Sequence, residues 1–516
     1  MKVINATEYR NKVLGCWTGK NIGGTLGAPF EGKREILDIT FYIQDLKGNP
    51  APNDDLDLQL VWLYAAEKHG VYNLTERLLA EYWMQDVICP ANEYAVCRAN
   101  IRNGLYPPLS GSCNNDKWKN SNGAWIRSEI WACLFPGEPD VAAQFAYMDA
   151  CVDHCGDGIY AEMFTASMES AAFIVNDLRS LINIGLSKIP AGCRIARSVN
   201  LACELYDKKT GFKEARNAMV KDSEDLGWFQ APANIGFMVL GLLYGEGDFG
   251  KSICYAVNCG DDTDCTGATA GAILGIMRGK SGLPENWVEP IGDNILTVAI
   301  DPGDARQMPK TLSELTERII RLAASIRYEN PDLFRINADA TQIPQEHFAL
   351  LSSSEFVKKR FWSKSPYELT FDLPFGMVKI DYENGPEMIP GEAKKIKLSF
   401  VSSIVTNKSI SLKWHLPEDW KVLSSREVCI NCMRYLEGVI TQVIIPGNYE
   451  DAYFYMPLEV KLVDRNHRII LNVPAQKKGG TSYNPDEISV VHDTFERHLA
   501  RTRWLNSTKR GLMENV

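Results

Sequence analysis

The chain has 516 residues, of which 45% are hydrophobic and 23% are charged, and its net charge is −10. This composition is typical of a globular protein with a large apolar core. The acidic balance and the lack of a long basic run argue against a nucleic-acid partner. No apolar stretch approaches the roughly 18 residues that a transmembrane helix needs, so no membrane partner is expected.

The start of the chain, MKVINATEYRNKVLGCW, lacks the apolar segment of a secretory signal. This favours a cytoplasmic protein, although a trimmed secreted chain would look the same. The fourteen cysteines are scattered through apolar segments, which is the pattern expected of reduced thiols rather than of a disulfide framework.

Residues 1–345 are predicted to form an all-α domain. TEYRNKVLGCWTGKNIGGTLG and DLQLVWLYAAEKHG both carry apolar residues at helical spacing, and the second ends at Gly70, a suitable C-cap. Several later segments, such as NIGFMVLGLLYG, are rich in Ala and Gly. Small side chains allow helix axes to approach closely, which favours a compact bundle of many helices.

Residues 360–478 are predicted to form a β-sandwich accessory domain. Segments such as GMVKIDYE, KKIKLSFVS and RIILNVPA alternate apolar with polar residues and are separated by Pro, Gly or Asn. This pattern and the segment PGEAKKIKLSFVSS favour an immunoglobulin-like fold. The remaining residues, 479–516, are predicted to form a C-terminal helical tail.

Three carboxylates lie within four residues in NCGDDTDCTGATAGAILG, which begins at Asn258. Asp261, Asp262 and Asp264 directly precede a predicted helix of small residues. One Asp can cap such a helix and another can favour its dipole. Three like charges so close together repel one another, and a hard divalent cation such as Mg²⁺ or Mn²⁺ would relieve that repulsion.

A second acidic cluster, APNDDLDLQL, also directly precedes a predicted helix. It supplies Asn53, Asp54, Asp55 and Asp57. One helical turn rarely completes a metal site, so we expect the two helix starts to converge. Only two histidines occur before residue 340, which favours an oxygen site over a zinc site.

Two further segments suggest a ligand site. Glu31 follows a Gly-rich helix end in GGTLGAPFEGKRE, where a loop can approach a ligand, or it is a solvated loop carboxylate. Ser121, Asn122 and Gly123 precede a helix predicted to start near Ala124, whose free N–H groups could bind phosphate or simply be capped.

In this order, GCWTGKNIGGTLGAPFE, NDDLDLQL, SNGAWIRS and GDDTDCTGATAGAILG resemble the motifs of the ADP-ribosylglycohydrolase family, over about residues 8–330. The resemblance implies an orthogonal all-α helical bundle with a centre of two divalent cations, Mg²⁺ or alternatively Mn²⁺. It also implies removal of ADP-ribose from modified side chains or from ADP-ribose derivatives.

The resemblance also implies roles for individual residues. The implied catalytic residues are Glu31, Asp55 and Asp262. The implied metal ligands are Asn53, Asp54, Asp55, Asp262, Asp264 and Cys265. The implied substrate-binding residues are Ser121, Asn122, Gly123 and His154. Four positions depart from the family pattern: Asn53, Leu56 and Cys265 stand where Thr is common, and Lys20 stands where Asp is common. Because a thiol is a poor Mg²⁺ ligand, one cation would bind weakly or be completed by water or Asp261.

The expected function is metal-dependent hydrolysis of the C1″ glycosidic bond of an ADP-ribosyl group or a related riboside, with Glu31 as acid or base. Substrates would be small-molecule or protein-linked ADP-ribose, and a homo-oligomer is possible. Trp118, Trp125 or Trp228 would stack on the substrate or pack in the core. The alternatives are a glycoside hydrolase of the same fold acting on another sugar, a non-catalytic binder of ADP-ribose or sugar, and a phosphoesterase.

Overall fold

The computed structural model describes residues 2–301, 303, 306–403, 408–432, 437–479, 496, 497 and 499. Its internal contacts divide the chain into two units. Of the described residues, 2–94 and 117–363 belong to the first unit, and 95–116 and 364–479 belong to the second. The segment 95–116 thus groups with the β-rich unit, whereas the sequence predicted one continuous helical domain over 1–345. Most of the predicted tail, 479–516, lies outside the described residues.

Eighteen α-helices lie within the described residues. They are α1 (Ala6–Gly27), α2 (Asp54–His69), α3 (Glu76–Asp86), α4 (Asn92–Arg102), α5 (Leu109–Ser112), α6 (Glu129–Leu134), α7 (Pro139–Ala150), α8 (Asp157–Ala172), α9 (Leu178–Ser187), α10 (Arg194–Asp207), α11 (Phe212–Asp222), α12 (Ala231–Tyr244), α13 (Phe249–Asn258), α14 (Thr263–Arg278), α15 (Glu285–Val288), α16 (Leu312–Glu329), α17 (Gln345–Leu351) and α18 (Glu355–Val357). None of the described helices combines the length and the apolar character that crossing a lipid bilayer requires. The prediction of a helical N-terminal region is confirmed.

Helices α1 and α14 approach so closely that their backbones touch. Glycines recur every fourth residue along the facing stripe of each helix, and a Cβ atom added to any glycine of α1 in this stripe would collide with a backbone carbonyl of α14. The facing pairs are Gly15 with Gly275, Gly19 with Gly271, Gly23 with Gly267, and Gly27 with Thr263. The pairing runs antiparallel, so the C-terminal end of α1 meets the N-terminal end of α14.

Hydrogen bonds hold this helix pair at both ends. The Thr263 hydroxyl donates to the Gly27 carbonyl at 2.9 Å. At the other end, the Asn11 amide donates to the Ser281 hydroxyl at 3.0 Å, and its oxygen accepts the Ser281 N–H at the same distance. These bonds fix the position of one helix along the other.

Twelve β-strands lie within the described residues. They are β1 (Val3–Asn5), β2 (Arg335–Asn337), β3 (Glu368–Leu373), β4 (Gly376–Asp381), β5 (Glu387–Met388), β6 (Lys394–Ser402), β7 (Lys408–Trp414), β8 (Lys421–Val422), β9 (Glu427–Cys432), β10 (Glu437–Ile445), β11 (Tyr453–Leu462) and β12 (Ile469–Lys477). Strands β1 and β2 form a parallel pair within the helical unit. The others form two five-stranded sheets, with orders β3-β4-β6-β10-β8 and β5-β12-β11-β7-β9.

The two five-stranded sheets share one apolar core. Alternate residues of both sheets, such as Ile396 and Leu398 of β6 and Leu458 and Val460 of β11, are completely buried in it. A buried hydrogen bond of 2.8 Å from the Trp414 indole to the Gln442 side chain joins β7 to β10. The predicted β-rich C-terminal region is confirmed, and its immunoglobulin-like assignment stays a prediction.

The contact between α1 and α14 can be tested by replacing Gly19 or Gly271 with alanine. Helix propensity alone would make Ala about 1 kcal/mol more favourable than Gly. We expect the opposite sign, a loss of about 1–3 kcal/mol, because the new methyl group meets a backbone carbonyl that cannot move aside. Thermal or urea unfolding measures the change. Gly192→Ala is the control, since a Cβ there meets nothing within 4 Å, and unchanged or raised stability in both variants would contradict the contact.

Candidate functional site

The C-terminal end of α1 and the N-terminal ends of α2 and α14 meet at one group of carboxylates. One ligand oxygen each of Glu31, Asp262 and Asp264 lie within 4.8 Å of one another. Ligand atoms of Asp55, Asp264 and Cys265 lie equally close together. Because Asp264 belongs to both groups, the two acidic stretches lie side by side in the folded chain, as the sequence analysis predicted.

Asp262 does not act as a helix cap, which was the simplest alternative for the aspartates before α14. It occupies the N-cap position, but its side chain accepts no bond from the backbone N–H groups of the helix. The Asn122 amide instead donates to Asp262 Oδ2 at 2.6 Å. The carboxylate is 1% exposed and is therefore held as a buried group of the site.

Capping explains Asn53 at the start of α2. Its side-chain oxygen accepts the N–H of Asp55 at 2.7 Å, and its amide nitrogen lies 3.4 Å from Asp264 Oδ2. The oxygen that was predicted to bind metal is thus used by the helix. Asp54, the next residue, is half-buried and accepts a 3.4 Å bond from the Tyr94 hydroxyl.

Three carboxylate oxygens of the site are buried without a hydrogen-bond partner. They are Asp55 Oδ2, Asp262 Oδ1 and Asp264 Oδ1. A buried ionised oxygen without a donor is unfavourable by several kcal/mol, so it must be neutralised by a proton or a cation. These residues therefore fit the carboxylate-rich oxygen site that a hard divalent cation requires.

The carboxylates of the site also raise one another's affinity for protons. Glu31 is exposed, yet the Asp264 carboxylate, together with burial and Asp54, raises the pKa of Glu31 to about 8. Burial, with Glu31 adding repulsion, raises the pKa of Asp262 to about 7. Burial raises the pKa of Asp54, Asp55 and Asp264 as well. Each of these carboxyl groups therefore keeps its proton to a higher pH than it would in water.

A buried lysine lies behind the site. Lys20 is 1% exposed, and its ammonium group lies 2.7 Å from Glu129 and 4.0 Å from Asp55 Oδ2. It also donates to the Ile126 carbonyl at 2.7 Å. Although burial opposes it, the Glu129 and Asp55 carboxylates raise the pKa of the Lys20 ammonium. The sequence analysis noted Lys20 only as a departure from the family pattern and missed Glu129.

Asp57 and Asp261 belong to neither of the two ligand groups. Asp57 accepts the backbone N–H groups of Val298 and Ala299, each at 2.6 Å. Asp261 Oδ1 accepts from the Arg34 guanidinium at 3.2 Å. Its other oxygen, Asp261 Oδ2, is buried without a hydrogen-bond partner, and the suggestion that Asp261 completes a cation site stays a prediction. Both residues hold neighbouring loops in place.

The predicted substrate-binding residues lie around a buried loop rather than at the start of a long helix. A 3-10 turn, Trp125–Arg127, follows the loop where a helix near Ala124 was predicted, and α6 begins only at Glu129. Ser121 Oγ lies 3.1 Å from His154 Nε2 and 2.6 Å from the Trp118 carbonyl. Both side chains are completely buried.

A buried ion network holds this loop. His154 Nδ1 lies 2.9 Å from Asp153, which the Arg127 guanidinium contacts at 2.6 Å. Arg127 also contacts Asp149 at 2.8 Å and donates to the Gly123 carbonyl. A Cβ on Gly123 would collide with the Glu93 carboxylate, so a larger residue there would require Glu93 to shift. Substrate contact by these residues stays a prediction.

Asn122 connects this loop to the carboxylates. While its amide nitrogen donates to Asp262, its oxygen accepts the Trp125 indole N–H at 2.9 Å. Trp125 is completely buried and thus packs in the core. Trp118 and Trp228 are half-buried and pack on either side of Phe229, with ring centroids 6.0 and 5.2 Å away. Trp228 also approaches Gly32, next to Glu31.

Comparison with known proteins agrees with this geometry. The family model described as ADP-ribosylglycohydrolase matches residues 5–326. An uncharacterized protein from Archaeoglobus fulgidus is 23% identical over 335 residues, which cover 61% of this chain and 99% of the relative. The matched range contains every residue of the carboxylate groups and of the buried loop. The chain therefore belongs to the ADP-ribosylglycohydrolase family.

Proposed function

We propose that the protein is a metal-dependent hydrolase that cleaves the glycosidic bond at C1″ of an ADP-ribosyl group or a related riboside. Membership of the family supports a glycosyl hydrolase activity. The observation that carries the finer proposal is the position of Asp264. Its carboxylate lies within 4.8 Å of ligand atoms of Glu31 and Asp262 in one group, and within 4.8 Å of ligand atoms of Asp55 and Cys265 in the other.

In this proposal two divalent cations neutralise the pair of groups. Asp55, Asp262 and Asp264 each have a buried oxygen without a hydrogen-bond partner and so supply buried negative charge. Among the described residues, the Lys20 ammonium lies 4.0 Å from Asp55. When bound, divalent cations orient sugar hydroxyls and increase the acidity of water. Mg²⁺ or Mn²⁺ would suit the oxygen ligands.

The chain's own residues would supply rigidity and proton transfer. Asp262 is fixed by Asn122, and Asp264 by Asn53, so their carboxylates keep their positions when charge develops on the sugar. Glu31 is the exposed member of the group and can therefore reach a substrate from solvent. A carboxyl group with a pKa near neutrality suits general acid or base catalysis.

Aromatic side chains beside Glu31 would form a wall for the substrate. Trp228 and Trp118 are half-buried, and each packs edge-on against Phe229. A nucleobase or sugar ring could stack on such a surface while its C1″ atom lies at the carboxylates. The backbone of the buried loop at Asn122 would border the ribose, since the Asn122 side chain already contacts Asp262.

The second candidate is a glycoside hydrolase that acts on another sugar, and one feature of the β-rich unit favours it. The segments around Trp420 and Phe454 line a cavity of about 640 Å³ together with Tyr449 and the half-exposed Tyr455. Aromatic rings beside polar side chains are typical of surfaces that bind glycans. Such accessory sites commonly accompany enzymes that act on carbohydrates, although this is an argument from analogy.

The metal-dependent proposal predicts that Asp262→Asn and Asp54→Asn lower hydrolysis by more than about 100-fold while the protein stays folded. Each variant keeps the shape of the side chain but removes a negative charge that a cation needs. Release of ADP-ribose from an ADP-ribosylated peptide, with added Mg²⁺ or with chelator, measures the effect. Asp248→Asn is the control, because Asp248 caps α13 and asparagine caps equally well. Full activity in both site variants, or in excess chelator, would refute the proposal.

Metal-free protein should lose stability as the pH rises from about 5 to about 8. The folded state raises the pKa of Asp262 from 3.8 to about 7 and that of Glu31 from 4.5 to about 8. Within this window the unfolded chain has released protons that the folded chain still binds, so rising pH favours unfolding. Melting temperatures in chelator should therefore fall, and excess Mg²⁺ should restore them. Asp262→Asn should flatten the slope, and a melting temperature that rises with pH would contradict this account.

A substrate screen separates the two candidate functions. We expect turnover of ADP-ribosyl peptides, with rates at least about tenfold above those for aryl glycosides, because a rigid site discriminates between sugars through its fixed ligands. Liberated ADP-ribose and liberated aryl alcohol are measured side by side, with Asp262→Asn as the blank. Faster turnover of an aryl glycoside would favour the second candidate. Binding of ADP-ribose without turnover at any metal concentration would favour a non-catalytic binder.

A further inference from the structure

The two ligand groups that share Asp264 differ in chemistry. The first, which we call the oxygen group, consists of Glu31, Asp262 and Asp264 and offers carboxylate oxygens. The second, the sulfur group, consists of Asp55, Asp264 and Cys265 and offers a thiol beside two carboxylates. A pair of sites with different donor atoms is expected to hold a pair of different cations.

One distance within the sulfur group matches the ligand spacing around a small tetrahedral cation. Cys265 Sγ lies 3.4 Å from Asp55 Oδ1. A zinc ion with bonds of about 2.3 Å to sulfur and about 2.1 Å to oxygen would hold the two atoms about 3.6 Å apart at a tetrahedral angle. Cys265 Sγ and Asp55 Oδ1, which are joined by a hydrogen bond, are therefore close to the spacing of two ligands of one zinc ion.

Cys265 is buried, yet its thiol bonds a carboxylate in addition to its packing contacts. Cys265 lies in the first turn of α14, is 5% exposed, and donates its proton to a buried carboxylate. Asp264 Oδ1 is buried without a hydrogen-bond partner, and Asp55 Oδ2, also without one, lies 4.0 Å from the Lys20 ammonium. A metal-binding arrangement would explain both the orientation of the thiol and the unsatisfied oxygens, whereas a core cysteine would explain neither.

We propose that the sulfur group binds a thiophilic divalent cation such as Zn²⁺, while the oxygen group binds Mg²⁺ or Mn²⁺. This inference deepens the proposed function and rests on it for the presence of two cations. Binding forms a bond between sulfur and metal, breaks the S–H bond of Cys265 and releases that proton to solvent, with no oxidation or reduction. Thiolates favour Zn²⁺ and Co²⁺ over Mg²⁺, so the two groups would select their cations without competing.

Cobalt is the probe for the sulfur group, because a bond between Co²⁺ and a thiolate produces charge-transfer absorption in the near ultraviolet. We expect metal-free full-length protein to develop this band on titration with Co²⁺, with saturation at one equivalent. Zn²⁺ should abolish the band, and a large excess of Mg²⁺ should leave it unchanged. No substrate is present, so the readout does not depend on hydrolysis.

Matched cysteine variants assign the band. Cys265→Ser should remove it and lower the affinity for Zn²⁺ at least about tenfold, while Mg²⁺ affinity stays the same or increases. Cys259→Ser is the control, since Cys259 is buried nearby and its thiol donates to the Tyr255 carbonyl. Cys265→Thr, which restores the hydroxyl common in the family, replaces Cys265→Ser if circular dichroism shows that the serine variant is unfolded.

Three outcomes would overturn the inference: no band in the wild-type protein, a band that persists in the folded Cys265 variant, or displacement of Co²⁺ by Mg²⁺. Failure of the inference and failure of the proposed function can be told apart. Mg²⁺-dependent hydrolysis without a cobalt band would overturn only the inference. A Cys265-dependent band in a protein that hydrolyses no ADP-ribosyl substrate would support the inference and count against the function.

Discussion

The direct backbone contact between α1 and α14 is the constraint on which the site depends. Because glycine repeats every four residues on both helices, no side chain separates them, and the antiparallel pair brings the end of α1 against the start of α14. Glu31 follows the first helix, whereas Asp262 and Asp264 begin the second, so the contact places these carboxylates together. Like charges would separate in a flexible loop. Here the buried packing of two helices opposes their repulsion, which together with burial raises the pKa of Glu31 and Asp264.

Negative charge at the centre is only partly balanced by the protein. Lys20 pairs with Glu129 and lies within range of Asp55, and Arg127 balances Asp149 and Asp153 in the layer behind the loop at Asn122. The two cationic side chains therefore balance part of the charge, while Asp262 Oδ1 and Asp264 Oδ1 stay buried without a hydrogen-bond partner. The ion pairs of Lys20 and Arg127 keep the surrounding residues charged and rigid. The central carboxylates would be free to exchange protons for a metal ion.

Much of this arrangement could be predicted from the sequence, because local patterns carry it. The helical region, the β-rich region and the meeting of Asp55 with Asp264 followed from periodicity, from clustered carboxylates and from motif order. Gly15, Gly19, Gly23 and Gly27 recur every fourth residue in the sequence, but the sequence analysis did not use this repeat, and its partners cannot be paired without the fold. What could not be predicted depends on contacts between residues distant in the chain. The neutralisation of Glu129 by Lys20 and the support of His154 by Asp153 have no local signature. The role of Asn53 could not be predicted either, because an asparagine side-chain oxygen suits both helix capping and metal binding. In the structure this oxygen caps α2.

The glycine repeat along α1 and α14 has one further consequence, which concerns alignment. Because the glycines repeat every four residues, they would still face one another if one helix moved by four residues relative to the other. Such a shift would displace that helix by about 6 Å along its axis. Glu31 would then no longer lie beside Asp264, although glycines of the two helices would still be in contact. The hydrogen bonds of Thr263 to Gly27 and of Asn11 to Ser281 would be broken by that shift and therefore oppose it. The relative position of the site's carboxylates therefore depends on contacts at the two ends of the helix pair rather than along its length.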